Sequence, residues 1–246
     1  MLQKKKAVIF DLDGTLIDSV GIWNQVDLQL IQQLGGPDLC EEEVQTQRDQ
    51  ALRGFREAGD PYREYCRYLG QLCRCEWTPE DIVQKRYAIA QYYLEKVVDY
   101  KPDAEKLLTF LQTNGFVLAI ATTTKRSNLD IYRTKNQNIL QKAPLDRFFS
   151  VIYTKEDVHK TKPDPEIYQR LLRELGLSPA GCLVFEDSLV GVEAARHAGI
   201  EVAAVYDRYS EKDWETIKNM ADYSFEGFLE VINNLEQNDK SIESGH

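Results

Sequence analysis

Five short, almost continuously apolar runs recur along this chain of 246 residues, and each is followed by a turn or by a helical pattern. The runs are AVIF at 7–10, VLAIA at 117–121, SVIY at 150–153, CLVF at 182–185 and VAAVY at 202–206. Strands that are apolar on both faces and alternate with helices are typical of a parallel sheet covered by helices on both sides. The pattern therefore predicts an α/β protein built on a doubly wound parallel sheet.

The stretch from 19 to 97 interrupts this alternation, since it contains no convincing strand. It contains amphipathic helical patterns instead, including 23–34 and 79–97. A segment of this length exceeds an ordinary crossover, and its helical periodicity favours a small domain of its own. We expect an all-helical cap domain at 19–97, inserted into a core domain formed by 1–18 and 98–236.

Composition argues against several kinds of partner. The formal net charge of −10 disfavours nucleic acid, because Lys and Arg side chains supply much of the affinity for phosphate backbones. No apolar run approaches the ~18 residues of a membrane span, and the first residues lack the pattern of a secretory signal. We therefore expect a cytoplasmic protein, a monomer or weak dimer, that acts on small molecules. Residues 237–246 are polar enough to form a disordered tail.

Polar side chains cluster where the predicted strands end, and ligands of open parallel sheets bind at these carboxyl ends. The residues that follow the runs are Asp11, Asp13, Thr122, Thr123, Thr124, Glu186 and Asp187, and Lys162 lies before a predicted helix. Acids crowded at one edge repel one another unless a proton or a cation neutralises them. Carboxylates without a nearby His or Cys favour Mg²⁺, which commonly binds one or two carboxylates together with a substrate phosphate.

The remaining polar groups at this edge suit the phosphoryl group that such a metal implies. Lys162 would supply positive charge, and a threonine hydroxyl would donate to a phosphate oxygen. Backbone N–H groups around Gly14 would bind the other oxygens. The residues thus predict a magnesium site that binds a phosphorylated small molecule.

Four segments resemble the four motifs of the haloacid dehalogenase superfamily, in the same order. They are DLDGTLIDS at 11–19, AIATTTK at 119–125, KPDPEIY at 162–168 and FEDSLVGVEAARHAG at 185–199. The resemblance extends from residue 7 to about residue 206, and it is closest to members with a helical cap, such as beta-phosphoglucomutases and phosphoglycolate phosphatases. It implies a Rossmann-like core and a Mg²⁺-dependent phosphatase that hydrolyses a small phosphorylated metabolite through an aspartyl-phosphate intermediate.

The resemblance also implies catalytic roles. Asp11 would attack phosphorus, as carboxylate nucleophiles do in aspartyl-phosphate chemistry. Asp13 would protonate the leaving oxygen and later accept a proton from the water that hydrolyses the intermediate. Thr122 and Lys162 would hold the oxygens of the transferring phosphoryl group.

The same resemblance implies a set of metal ligands. The carboxylates of Asp11 and Asp187 and the main-chain carbonyl of Asp13 would bind Mg²⁺, while Glu186 would be either an alternate ligand or a supporting acid outside the metal shell. Asp13 also favours phosphoryl transfer over dehalogenation, because the dehalogenase members lack an acid at this position.

Two assignments keep alternatives. Thr123 or Thr124 would be the aligned hydroxyl if the second strand ended later, and any of the three threonines could cap the helix after them. Lys160 is a rival of Lys162, although the prolines that follow Lys162 fix the local backbone there.

Substrate specificity is expected to depend on the cap, because a closing domain contacts the leaving group and excludes water. The candidate substrate residues are Trp23, Arg48, Arg53 and Arg56 in the cap and Gly14, Thr123 and Lys125 in the core. For each arginine, a solvated helix face is an alternative interpretation.

Two other functions stay open. Sugar-phosphate mutases of the beta-phosphoglucomutase type resemble the chain in all four motifs, but they typically carry His at the position of Trp23. A Trp can only pack or stack, which argues against a mutase. A catalytically silent binding protein is the other alternative, and the intact acids and Lys162 argue against it.

Overall fold

The computed structural model describes residues 1–55 and 58–243. Contacts divide the chain into two units, one comprising Met1–Asp18 and Val98–His246 and the other comprising Ser19–Val97. The second unit has the bounds expected for the cap, whereas the first extends past residue 236, where the core was expected to end. That each unit folds as an independent domain stays a prediction.

The first unit is built on a parallel sheet. Its strands are β1 Ala7–Phe10, β2 Val117–Ala121, β3 Val151–Tyr153, β4 Cys182–Glu186, β5 Glu201–Val205 and β6 Tyr223–Phe225. The strand order is β3-β2-β1-β4-β5-β6, and all neighbouring strands are parallel. The predicted α/β fold is confirmed. The sequence did not predict β6, because its three residues, YSF, are interrupted by Ser224 and give no continuous apolar run.

Helices occupy both units of the described chain. Those of the second unit are α1 Ile22–Gln33, α2 Glu41–Gly54, α3 Pro61–Leu72 and α4 Pro79–Lys96. Those of the first unit are α5 Ala104–Thr113, α6 Arg126–Thr134, α7 Gln137–Lys142, α8 Leu145–Phe148, α9 Glu166–Leu175, α10 Leu189–His197, α11 Trp214–Met220 and α12 Phe228–Glu243. Short 3₁₀ helices lie at Lys155–Asp157, Pro179–Gly181 and Arg208–Asp213.

Helix α12 corrects the prediction of a disordered tail. It continues to Glu243, whereas disorder was expected from 237 onward, and 244–246 lie outside the described residues. Val231 and Leu235 are buried at helical spacing, so packing fixes the first turns of α12. The helix continues from these turns to Glu243.

The second unit contains a buried ion pair. Asp27 on α1 accepts hydrogen bonds from Arg86 on α4, with Nε 2.5 Å from Oδ1 and Nη2 3.1 Å from Oδ2. Tyr65 and Arg48 also donate to Oδ2, at 3.1 and 3.3 Å. Burial by itself would lower the pKa of Arg86, but the charge of Asp27 outweighs it and raises that pKa.

The register of the central strands brings the candidate site residues to one edge of the sheet. Phe10 at the end of β1 pairs with Ile120 on one side and with Phe185 on the other. Because parallel strands all end at the same edge, the residues that follow these positions lie side by side. Asp11 is accordingly joined to β4, since its N–H donates to the carbonyl of Phe185 at 3.0 Å.

Candidate active site

Three buried acids form the centre of the site. Asp11 follows β1, Glu186 is the last residue of β4, and Asp187 comes next. Each offers one carboxylate oxygen, and these three oxygens all lie within 4.8 Å of one another. Such a group concentrates negative charge where little water can screen it.

Lys162 is a buried cation that contacts two of these acids. Its Nζ lies 2.6 Å from Oδ1 of Asp11 and 2.5 Å from Oε1 of Glu186. It also donates to the main-chain carbonyl of Ala121 at 2.9 Å. The three N–H groups of the ammonium therefore have three acceptors.

Burial and mutual repulsion set the protonation of the site. Burial is the main cause that raises the pKa of Asp11 to about 7, and Lys162 opposes it. Burial, together with the charges of Glu186 and Asp11, raises the pKa of Asp187 well above its usual range. Burial would lower the pKa of Lys162, but Asp11 and Glu186 outweigh it and raise that pKa. One lysine does not neutralise the acids, which is the electrostatic condition that favours a bound cation.

The turn after Asp13 packs directly against Asp187. Gly14 has a φ of +89°, and a Cβ at this position would lie 2.5 Å from Oδ2 of Asp187, so only glycine allows this approach. Thr15, which sequence reasoning missed, donates from Oγ1 to Oδ1 of Asp187 at 2.6 Å. The N–H of Gly14 donates to the carbonyl of Ile17 at 2.9 Å, and the phosphate contact of the N–H groups around Gly14 stays a prediction.

Asp13 differs from Asp11 in being partly exposed. The hydroxyl of the buried Tyr132, on α6, lies 3.4 Å from Oδ1 of Asp13. A partly exposed carboxyl can exchange protons with solvent, whereas Asp11 is enclosed. No local sequence pattern marks Tyr132, since it lies 119 residues from Asp13 along the chain.

Among the three threonines that follow β2, Thr122 is the most deeply buried. It is buried and directly follows Ala121, whose carbonyl accepts from Lys162. Its Oγ1 accepts from the N–H of Thr124 at 3.1 Å, and a hydroxyl that accepts in this way still has a proton to donate. The side chain of Thr123 is exposed, and Lys125 is the N-cap residue of α6.

Glu186 accepts hydrogen bonds on both of its oxygens. Oε1 accepts from Lys162 and, at 2.9 Å, from the hydroxyl of Tyr168. Oε2 accepts from the N–H of Asp187 at 3.2 Å and from the N–H and Oγ of Ser188 at 3.3 and 3.1 Å. Burial raises the pKa of Tyr168 well above its usual range, so its hydroxyl keeps its proton.

The predicted cap residues belong to the second unit. The Trp23 ring is half-buried at the start of α1, and the guanidinium carbon of Arg86 lies 4.7 Å from the ring centroid. Arg53 is exposed near the end of α2, and Arg48 is held by Asp27. Arg56 lies outside the described residues.

A family model for haloacid dehalogenase-like hydrolases matches residues 8–205 of the chain. The chain therefore belongs to the haloacid dehalogenase-like hydrolase family, as its four motifs predicted. In the structure these motifs follow β1, follow β2, precede α9 and span the end of β4, so all four meet at one sheet edge.

Several named proteins are similar to the chain. The protein CbbY from Rhodobacter capsulatus is 32% identical over 214 residues, which cover 85% of this chain and 88% of that protein. A phosphorylated carbohydrates phosphatase from Thermotoga maritima is 29% identical, with 80% and 82% covered. A Thermotoga maritima crystal structure classed as a beta-phosphoglucomutase superposes with a TM-score of 0.76 at 27% identity, over 94% of this chain and 99% of the other.

None of the helices in the described part of the chain is both long and apolar enough to span a membrane. The cytoplasmic location and the monomeric or weakly dimeric state stay predictions.

Proposed function

We propose that this protein is a Mg²⁺-dependent phosphatase that hydrolyses a small phosphorylated metabolite through an aspartyl-phosphate intermediate. The observation that carries the proposal is the position of Lys162 Nζ, 2.6 Å from Oδ1 of a buried Asp11. A carboxylate beside a fixed ammonium can attack phosphorus while the ammonium binds the phosphoryl oxygens. Relatives named as phosphatases support the same reaction class.

The reaction proceeds in two displacements. In the first, a carboxylate oxygen of Asp11 bonds to phosphorus, the bond from phosphorus to the ester oxygen breaks, and Asp13 gives that oxygen a proton. In the second, water attacks phosphorus, Asp13 takes its proton, and the Asp11–phosphorus bond breaks to release inorganic phosphate. The partial exposure of Asp13 suits a group that must exchange protons in both steps.

Thr122 and Lys162 hold the phosphoryl oxygens during both displacements. The assignment is supported by sequence position, since Thr122 directly follows Ala121, whose carbonyl accepts from Lys162. A buried hydroxyl and a buried ammonium are strong donors to a developing negative charge because little water competes.

The acidic group fits a magnesium ion. The proposed ligands are the carboxylates of Asp11 and Asp187 and the main-chain carbonyl of Asp13. The pKa values of Asp11 and Asp187 are raised because their negative charges are buried close together, and a bound cation would neutralise these charges. Bound Mg²⁺ would supply positive charge that neutralises these acids and the phosphoryl oxygens.

The leaving group is proposed to be a small polyol or sugar, as the name of the carbohydrate phosphatase relative suggests. Trp23 and Arg53 in the cap, and Thr123 and Lys125 in the core, are the proposed contacts to that part of the substrate. A mutase is the second candidate, supported by the similarity to a structure classed as a beta-phosphoglucomutase. Trp23 argues against it, because an indole ring cannot replace the acid–base function of the His that those mutases carry.

A phosphorylated-metabolite panel tests the proposal, with release of inorganic phosphate as the readout. Wild type should release phosphate only with Mg²⁺, and Asp11→Asn should lose turnover by about 10³-fold or more, since an amide is a poor nucleophile. Conversion of a sugar 1-phosphate to a 6-phosphate without net release would favour the mutase. Folded wild type that hydrolyses no ester in the panel would instead favour a binding protein.

A further inference from the structure

We propose that Glu186 is an anchor for Lys162 and not a metal ligand, and that Tyr168 and Gly191 are positioning residues that hold its carboxylate in place. This inference rests on the proposed function, in which Lys162 binds the phosphoryl group. It decides between the two roles that the sequence left open for Glu186, and it adds two residues to which the motifs assign no role.

The carboxylate of Glu186 has no acceptor capacity left for a metal. It accepts five hydrogen bonds from the surrounding chain, two on Oε1 and three on Oε2. A carboxylate offers about four lone-pair sites, so these donors already use all of them. A metal ion at Glu186 would have to displace donors that are themselves buried. Asp187 is different, since the hydrogen bond that its carboxylate accepts within the described part of the chain comes from the Thr15 hydroxyl, on Oδ1.

Packing alone does not explain the hydroxyl of Tyr168, because phenylalanine would fill the same space. The side chain is fully buried on α9, where a bare ring would fill the same space without the cost of burying a hydroxyl. Its hydroxyl donates to Oε1 of Glu186, the same atom that Lys162 contacts. The Lys162 ammonium also lies 5.2 Å from the centroid of the Tyr168 ring. The tyrosine thus fixes both partners of the buried pair.

Gly191 provides the space that the Glu186 carboxylate occupies. A Cβ at Gly191 would lie 2.0 Å from the carboxyl carbon of Glu186, so any other residue would force the carboxylate to move. The N–H of Gly191 donates to Oγ of Ser188 at 3.1 Å, and that hydroxyl in turn donates to Glu186. The carboxylate is therefore held at the N-terminal end of α10, where the helix dipole favours negative charge.

The anchor matters because it orients the ammonium. Two of the three acceptors of Lys162 lie at the ends of sheet strands. They are the carboxylate of Glu186, the last residue of β4, and the carbonyl of Ala121, the last residue of β2. They direct the third N–H at Asp11, which is where the phosphoryl group would be bound. If Glu186 shifted, the ammonium would lose this direction while the proposed metal ligands stayed in place.

The decisive experiment compares binding of inorganic phosphate with binding of Mg²⁺ alone, both by calorimetry, in Tyr168→Phe and Gly191→Ala. We expect phosphate, measured at saturating Mg²⁺, to bind about tenfold more weakly in each variant, the size of effect that supporting partners have at such sites. The Kd for Mg²⁺ should stay within about twofold of wild type. Turnover of any ester that wild type hydrolyses should fall in kcat by a similar factor.

Matched controls separate positioning from loss of stability. Tyr100→Phe also removes a buried hydroxyl hydrogen bond, to the Ala143 carbonyl, and Gly181→Ala adds a Cβ whose nearest atom is 4.0 Å away. Both controls should bind phosphate as wild type does, whatever their melting temperatures. Tyr168 and Gly191 contact Glu186 from different helices, so either variant that folds is enough to test the positioning role.

Unchanged phosphate affinity in a folded Tyr168→Phe or Gly191→Ala protein would overturn the positioning role. An equal loss of Mg²⁺ affinity would overturn the anchor and make Glu186 a ligand. Neither result depends on turnover, so a wild type that binds phosphate but hydrolyses no ester would disprove the proposed function and leave this test intact.

Discussion

Lys162 and Asp11 lie 151 residues apart in the chain, yet Nζ of the lysine is 2.6 Å from Oδ1 of the aspartate, and both side chains are buried. A buried charge is tolerated only when it is paired, so removing either residue would leave the other as an uncompensated buried charge. This pair links the turn after β1 to the segment before α9, and Glu186 extends it to the end of β4. Stability and chemistry at this edge therefore depend on the same few charges.

Replacing the lysine tests this coupling. Lys162→Met should lower the free energy of unfolding by about 3 kcal/mol at pH 8 without metal, because it leaves two buried acids without their cation. Urea denaturation measures the change. Lys160→Met is the control and should have little effect, because the side chain of Lys160 is mostly exposed. Equal effects of the two substitutions would contradict the assignment of Lys162.

Stability without metal should fall as the pH rises from about 4 to about 7. Burial raises the pKa of Asp11 to about 7, so the folded state holds a proton that the unfolded state has released. Between pH 5.5 and 7.0 this amounts to about 1.6 kcal/mol for one group. Unfolding in EDTA at several pH values measures it. In Asp11→Asn the free energy of unfolding should depend less on pH, and the remaining dependence should be the part due to Asp187. The same slope against pH in wild type and Asp11→Asn would contradict the raised pKa of Asp11.

Asp187 should be required for metal binding. Asp187→Asn keeps an oxygen that can accept from Thr15 but removes the charge, so we expect Mg²⁺ affinity to fall by about 100-fold or more. Calorimetric titration with Mg²⁺ gives the Kd. Asp18→Asn, an exposed acid of the same unit, is the control and should bind Mg²⁺ as wild type does. Retained affinity in Asp187→Asn would place the metal elsewhere.

The second unit should depend on its own buried pair. Asp27→Asn removes the charge that compensates Arg86, and we expect a loss of about 3 kcal/mol in the unfolding free energy. Tryptophan fluorescence follows the transition, since the ring of Trp23 contacts Arg86. Glu80→Gln breaks an exposed pair with Arg63 and should change little. An unchanged free energy of unfolding in Asp27→Asn would mean that water solvates Arg86 when its partner is lost.

Local patterns predicted the strands and the acids that follow them. β1 and β2 have the predicted bounds, because an apolar run between turns identifies a buried strand without reference to the rest of the chain. Asp11 and Asp187 were found by the rule that strand ends of a parallel sheet share one edge. β6 and the C-terminal part of α12 were missed, since neither has an apolar pattern of its own.

Contacts between distant segments could not be predicted in the same way. Thr15 carried a weak signal, a hydroxyl directly after the glycine turn, but its partner Asp187 lies 172 residues away. No local pattern around Tyr168 or Gly191 points to Glu186. Only the structure shows that both contact Glu186.

The sequence by itself determined the parallel sheet, the helical insertion and the acids and lysine that meet at the sheet edge, because hydrophobic periodicity and strand ends are local properties. Tertiary structure alone decided which oxygen each donor reaches, that the Gly14 N–H is used within its own turn, and that Glu186 is surrounded by donors. The physical reason is that hydrogen bonds and burial depend on distances of a few ångströms between segments far apart in the chain, and no local pattern encodes those distances.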